Sequence, residues 1–153
     1  MGESITAVPD FYAHALAIER EAVQRYREFE AYFAGRGDEV IAGLCGTLAA
    51  MEGEHLAALV DASRGLDLPA VNPAEHGWLA AERNEDAVRA FYRVADAKQL
   101  LEIALRSECN ALGFFEWVAN TTSDERVREL ARDMAAEEMS HVNWVRDALE
   151  YHS

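Results

Sequence analysis

Two glutamate and histidine pairs, each spaced three residues apart, are the part of this sequence best suited to chemistry: Glu52 with His55, and Glu138 with His141. Both pairs lie inside helical hydrophobic patterns. Met134, Ala131, Leu130 and Val127 precede Glu138 at helical spacings, and Val142, Val145 and Leu149 follow His141, so a carboxylate and an imidazole interrupt an apolar stripe. Ile41, Cys45, Leu48 and Leu59 share one side of a second pattern with Glu52 and His55. An ionised carboxyl is costly to bury unless an opposite charge, hydrogen bonds or a metal ion accompanies it. Two further glutamates pose the same problem: Glu19 among Tyr12, Leu16, Val23, Tyr26 and Phe33, and Glu108 among Leu101, Ala104, Leu105, Ala111, Leu112, Phe115 and Val118. Four carboxylates and two imidazoles converging on one core suit a pair of divalent first-row ions, with hard oxygens that bridge and neutralise and one nitrogen for each ion. Five histidines and nineteen glutamates give roughly 0.6 Glu-x-x-His matches by chance. The two pairs therefore carry weight because they fall, with Glu19 and Glu108, on apolar stripes at mid-helix.

Four long helices must position these side chains. The first is expected over residues 11–34, after an irregular lead-in ending at Pro9 and Asp10, and it closes at Gly35, Arg36 and Gly37. The second is expected over 38–64 from an N-cap at Asp38. Residues 66–95 break the pattern with Pro69, Asn72, Pro73 and Gly77, then offer a short helix from Glu85 to Val94. A connection of that length is a crossover rather than a hairpin turn. The third helix is expected over 97–120, capped by Asp96, and the fourth over 124–151, with Thr122 and Glu125 suggesting a capping box. The halves repeat weakly: Glu19 and Glu108 are each followed by Ala at the third position and an aromatic at the seventh, and each half then supplies one Glu-x-x-His.

Length and composition agree with a single all-α domain over residues 1–153. Half the residues are hydrophobic, only three are Pro, and no strand-like alternation stands out. Twenty-eight acidic residues against fourteen basic ones give a formal charge of -14, which disfavours nucleic acid and anionic membrane surfaces as partners. No stretch near twenty residues is free of charge, and the N-terminus has no basic start followed by an apolar run, so neither a membrane span nor a signal peptide is expected. Cys45 and Cys109 form no Cys-x-x-Cys pair and suit a reducing cytoplasm.

The segments Ala17 to Tyr26, Met51 to His55, Glu108 to Phe115 and Glu137 to His141 resemble those of ferritin-like proteins of the rubrerythrin group, without the rubredoxin domain. The resemblance implies a ferritin-like four-helix bundle with a long crossover between helices 2 and 3, holding two iron ions, with manganese or mixed occupancy as the alternative. It implies Glu52 and Glu138 as bridging ligands, Glu19 and Glu108 as terminal carboxylates, and His55 and His141 as ligands of one metal each. Glu21, Glu54 and Glu137 are then surface residues. The chain departs from the family in three ways. Ala111 stands where peroxide-reducing rubrerythrins commonly carry an extra carboxylate, the cysteine count excludes a rubredoxin-type iron site, and Gly53 replaces the haem-binding Met of bacterioferritins. Helix 4 runs out at Ser153, so no fifth helix of the kind that builds cage ferritins is expected.

The function expected on these grounds is reduction of hydrogen peroxide or dioxygen by a dinuclear, iron-containing oxidoreductase that takes electrons from an external donor, with ferroxidase activity as the same chemistry. The alternatives are a di-iron hydroxylase, a manganese catalase-like enzyme, or a metal-binding or interaction bundle without turnover. Tyr26 is most simply a core or interface aromatic, although it could hydrogen-bond near the metals. His14, His76 and His152 fall outside the ligand pattern, although His76 and Trp78 lie in the crossover, where they could approach the site. Apolar residues off the main stripes, such as Phe29 and Trp117, suggest a homodimer.

Overall fold

A computed structural model of the chain describes residues 4–71 and 93–153. Four helices account for most of them: α1 (Val8–Gly35), α2 (Glu39–Ala62), α3 (Ala97–Thr121) and α4 (Glu125–His152). The helix α1 starts earlier than its hydrophobic pattern indicates, because it includes Pro9 and Asp10 in its first turn. Proline is tolerated there, where its missing N–H would lack an intrahelical partner in any case. Gly37 and Gly65, at φ of 79° and 82°, make the left-handed turns that end α1 and α2.

Side-chain caps fix the next three starts. Asp38 accepts a hydrogen bond from Ile41 N (3.1 Å), and Asp96 accepts one from Gln99 N (2.8 Å). At α4 the cap is Asp124, which accepts from Val127 N (2.9 Å), and not the Thr122–Glu125 box. Thr122 is used otherwise. Its hydroxyl donates to the Ile5 carbonyl (2.6 Å) and accepts from Asp124 N (3.2 Å), tying the N-terminal segment to the α3–α4 turn.

The helix α1 packs along α2, and α3 along α4, as their short connections require. The buried apolar residues form two clusters, one with Tyr26, Phe29, Leu48, Leu101 and Val145, the other with Phe11, Leu16, Leu59, Phe115 and Val127. Every helix passes from one cluster to the other, and in every helix the change occurs around one glutamate: Glu19, Glu52, Glu108 or Glu138. Along the chain, α1 and α4 run from the second cluster to the first, whereas α2 and α3 run from the first to the second. The helices α2 and α3 are therefore parallel, and the chain between them must return the length of the bundle.

Most of that return, including His76 and Trp78, lies outside the described residues. Arg93 and Val94, the end of the short helix expected over 85–94, are not helical. Phe29 is fully buried in the first cluster. It belongs to the core and is not an off-stripe surface residue.

Candidate metal centre

The layer between the two apolar clusters is polar. Glu19, Glu52, Glu108 and Glu138 are each at most 3% exposed, one from each helix, and His141 is 5% exposed. The Glu-x-x-His spacing puts Glu52 and His55 one turn apart on α2, and Glu138 and His141 one turn apart on α4. Ligand atoms of Glu52, His55, Glu138 and His141 all lie within 4.8 Å of one another. Glu19 and Glu108 join from the sides. His55 Nδ1 is 3.9 Å from Glu19 Oε1 and 4.0 Å from Glu138 Oε1. His141 Nδ1 is 3.0 Å from Glu52 Oε1, 3.8 Å from Glu108 Oε2 and 3.8 Å from Glu138 Oε2. The two imidazoles stack with centroids 4.4 Å apart. All six residues singled out by the sequence thus come together. Tyr26, fully buried, points its hydroxyl at Glu108 Oε1 from 3.5 Å.

Half of the carboxylate oxygens and imidazole nitrogens of these six residues lack what burial demands. Both oxygens of Glu19, both of Glu138, Glu52 Oε2 and His55 Nδ1 are buried with no hydrogen-bond partner. An orphaned buried polar group is destabilising and rare. Six such atoms in the layer that holds the Glu52, His55, Glu138 and His141 cluster suit cations as the missing partners. The spacings fit as well: atoms bound to one ion at about 2.1 Å lie roughly 3 to 4 Å from one another. The donors, four carboxylates and two imidazole nitrogens, are those that divalent iron, manganese or zinc accepts. This carboxylate and histidine cluster fits a dinuclear metal centre.

The electrostatics express the same deficit of positive charge. Burial, followed by the charge of Glu19, pushes Glu52 up to about 7. Burial and the charge of Glu52 push Glu108 up to about 7 and Glu138 up to about 9. Glu19 is raised well above the ordinary carboxyl range by burial, with the charges of Glu138 and Glu108 adding to it. Burial alone would lower the His141 imidazole, but the carboxylates of Glu108 and Glu52 outweigh it and hold it up at about 11. All of these shifts favour the protonated forms.

One partner of the cluster was not legible in the sequence. Glu137, grouped there with the surface residues Glu21 and Glu54, has a side chain 60% exposed, yet its Oε2 is 2.7 Å from His55 Nε2. Consecutive helical residues point about 100° apart, so Glu137 flanks the stripe without belonging to it. The pair lies beside a cavity of about 450 Å³ between α1, α2 and α4, whose walls include Phe11, Tyr12, Leu59, Leu130 and Met134. A larger cavity of about 610 Å³, between α1 and residues 68–71, touches none of the six.

The other candidates lie away from the centre or do other work. His14 hydrogen-bonds the Asp10 carbonyl (2.8 Å) and stacks on Phe114. His152 closes α4, with its ring against Tyr151. Cys45 is buried and Cys109 exposed, both as free thiols, and burial pushes Cys45 up to about 12, with Glu30 and Asp38 adding to it. Ala111 packs against the second apolar cluster and brings no carboxylate.

Comparison with known proteins decides the family. A family model described as rubrerythrin matches residues 10–148. The chain belongs to the rubrerythrin family. No curated protein matches it. Among solved structures it is similar to an uncharacterized conserved protein from Magnetospirillum magnetotacticum MS-1, with 24% identity, 96% of each chain covered and a TM-score of 0.81. That likeness supports the fold, a ferritin-like four-helix bundle. Among the described residues of this rubrerythrin-family chain, no helix is long and apolar enough to cross a membrane.

Proposed function

We propose that this chain is a di-iron oxidoreductase that reduces hydrogen peroxide or dioxygen, with Glu19, Glu52, His55, Glu108, Glu138 and His141 as the metal ligands. The observation that carries the proposal is the set of buried, unpartnered carboxylate oxygens between two histidine Nδ1 atoms, within a rubrerythrin-family fold. Glu52 and Glu138, whose ligand atoms lie within 4.8 Å of those of both histidines, would be the carboxylates shared between two ions. Glu19 lies on the His55 side and Glu108 on the His141 side, so each would complete one position. Iron(II) held by these residues would supply two electrons, which with two protons would convert hydrogen peroxide to two waters or dioxygen to hydrogen peroxide, and an external donor would return the electrons.

The protein's own contribution is binding, orientation and proton storage. The Tyr26 hydroxyl faces Glu108 Oε1 and limits where that carboxylate can turn. The apolar clusters above and below exclude bulk water. Ligand protons must leave when cations bind, because the bound forms are carboxylate and neutral imidazole. Ferroxidase activity is the same reaction with iron(II) as substrate. The cytoplasm, a small oxidant and a homodimer complete the proposal.

Anaerobic loading of the metal-free protein with iron(II), followed by each oxidant, tests it. Uptake near two irons per chain and oxidation faster than in Glu52→Ala support it. No uptake, or equal rates in the two proteins, contradicts it.

The cavity beside His55 favours one second reading. Its apolar walls and a volume of about 450 Å³ suit a small organic molecule next to one metal position, which is the arrangement a hydroxylase needs. Oxygen-dependent modification of a hydrophobic substrate by the iron form, and its loss when Ala58, which also lines the cavity, is enlarged to Phe, would favour that reading over peroxide reduction.

A further inference from the structure

The two Glu-x-x-His halves repeat in sequence, but their histidines are not held alike. His55 donates through Nε2 to Glu137 Oε2 at 2.7 Å, across from α2 to α4. A carboxylate only accepts hydrogen bonds, so the ring proton of a neutral His55 is on Nε2, and Nδ1 carries the lone pair. That Nδ1 is buried and unpartnered, and faces Glu19 and Glu138 at 3.9 and 4.0 Å, distances too long for hydrogen bonds. The outer nitrogen is fixed by a carboxylate while the inner one is left free for a ligand.

Among the described residues, His141 has no counterpart to this arrangement. Its Nδ1 faces Glu52, Glu108 and Glu138, and among the described residues no carboxylate lies against its Nε2. The repeat itself shows where the symmetry breaks. Glu137 stands directly before the glutamate of its Glu-x-x-His, and the equivalent residue of the first half is Met51, which offers no comparable acceptor. A hydrogen bond from the outer nitrogen of a metal-binding histidine to a carboxylate fixes the tautomer, holds the ring and raises the basicity of the ligating nitrogen.

We propose that Glu137 is a positioning residue for His55 and that it makes the two metal positions unequal, with the tighter one at His55. This rests on the metal-binding function proposed above. Glu137 is not one of the six proposed ligands; its Oε2 is 2.7 Å from His55 Nε2. It acts through the ring it holds, and its exposed position allows substitution without disturbing the core.

Anaerobic cobalt(II) titration followed by visible absorption, on the wild type, Glu137→Ala and Glu137→Gln, tests this. The wild type should take up two cobalt ions in two steps. In Glu137→Ala the tighter step should weaken by about 10- to 100-fold, the usual consequence of losing such a partner, while the weaker step and the thermal unfolding of the metal-free protein stay unchanged. In Glu137→Gln, whose amide oxygen accepts the same bond, a substantial part of the difference should return. Nitrogen-15 imidazole spectra of the metal-free wild type should show His55 protonated on Nε2, which Glu137→Ala should lose as a single fixed tautomer. A wild-type chain that takes up no cobalt overturns the metal centre and this inference with it. Two-ion uptake that is identical in the wild type and Glu137→Ala, or a His55 protonated on Nδ1 in the wild type, overturns this inference alone. Equal weakening of both steps with reduced thermal stability overturns it also, because Glu137 would then be a general structural contact.

Discussion

Replacing Glu138 by glutamine should stabilise the metal-free protein and flatten its dependence on pH. Glu138 is 0% exposed, neither of its carboxylate oxygens has a hydrogen-bond partner, and burial with the charge of Glu52 pushes it up to about 9. A raised carboxyl means that the folded chain holds a proton which the unfolded chain releases above its ordinary value. The associated stability is complete below that value and is lost as pH rises towards about 9. Holding one proton from about pH 5.5 to about pH 8 costs about 3 kcal/mol, at roughly 1.4 kcal/mol per pH unit. Glu52 and Glu108, raised to about 7, act in the same direction. So does His141, which the fold keeps protonated up to about 11. These groups share their protons, so their contributions overlap rather than add. Glutamine keeps the shape, needs no proton, and can donate its amide hydrogens to the orphaned oxygens of Glu19. Urea unfolding of chelator-treated protein at the two pH values measures the effect. The wild type should lose about 3 kcal/mol or more on going to the higher pH, and Glu138→Gln should lose less and be the more stable of the two there. Equal wild-type stability at both pH values, or a variant that follows the wild type, would refute the reasoning.

Metal uptake should release protons in the neutral range, because Glu138 and His141 hold theirs until cations displace them. Calorimetric titration in buffers of different ionisation enthalpy measures the number, and no release contradicts the assignment. Phe29→Ala should destabilise the protein by about 3 to 5 kcal/mol in denaturant unfolding, since this ring is fully buried in the first cluster. A smaller loss would place Phe29 nearer the surface than its burial indicates. Asp124→Ala should remove the α4 cap and cost about 1 kcal/mol, whereas Glu125→Ala should cost less. The reverse order would restore the Thr122–Glu125 capping box.

Much of this was legible in the sequence, for a definite reason. A buried glutamate contradicts its apolar stripe, and the contradiction is visible without coordinates, as at Glu19, Glu52, Glu108 and Glu138. Helical periodicity then puts His55 and His141 one turn along from two of them. The details that were not legible depend on relations periodicity does not encode. Pro9 reads as a breaker but is accepted in a first helical turn. Phe29 falls off the single stripe of α1, but a helix that packs in a bundle buries more than one stripe. Thr122 and Glu125 have the right spacing, but Thr122 is engaged by Ile5, 117 residues away. Glu137 is exposed by every local criterion, and only the approach of α4 to α2 brings it to His55.

The central claim is that the four glutamates and two histidines hold two metal ions. Its most direct test is a crystal structure of protein purified without added metals, with anomalous scattering recorded above and below the iron edge and metal content measured on the same sample. Two iron peaks in the polar layer, one near His55 and one near His141, each within bonding distance of Glu52 and Glu138, are predicted. A layer without ions in protein shown to retain iron elsewhere, or a single ion bound at the surface, would contradict it.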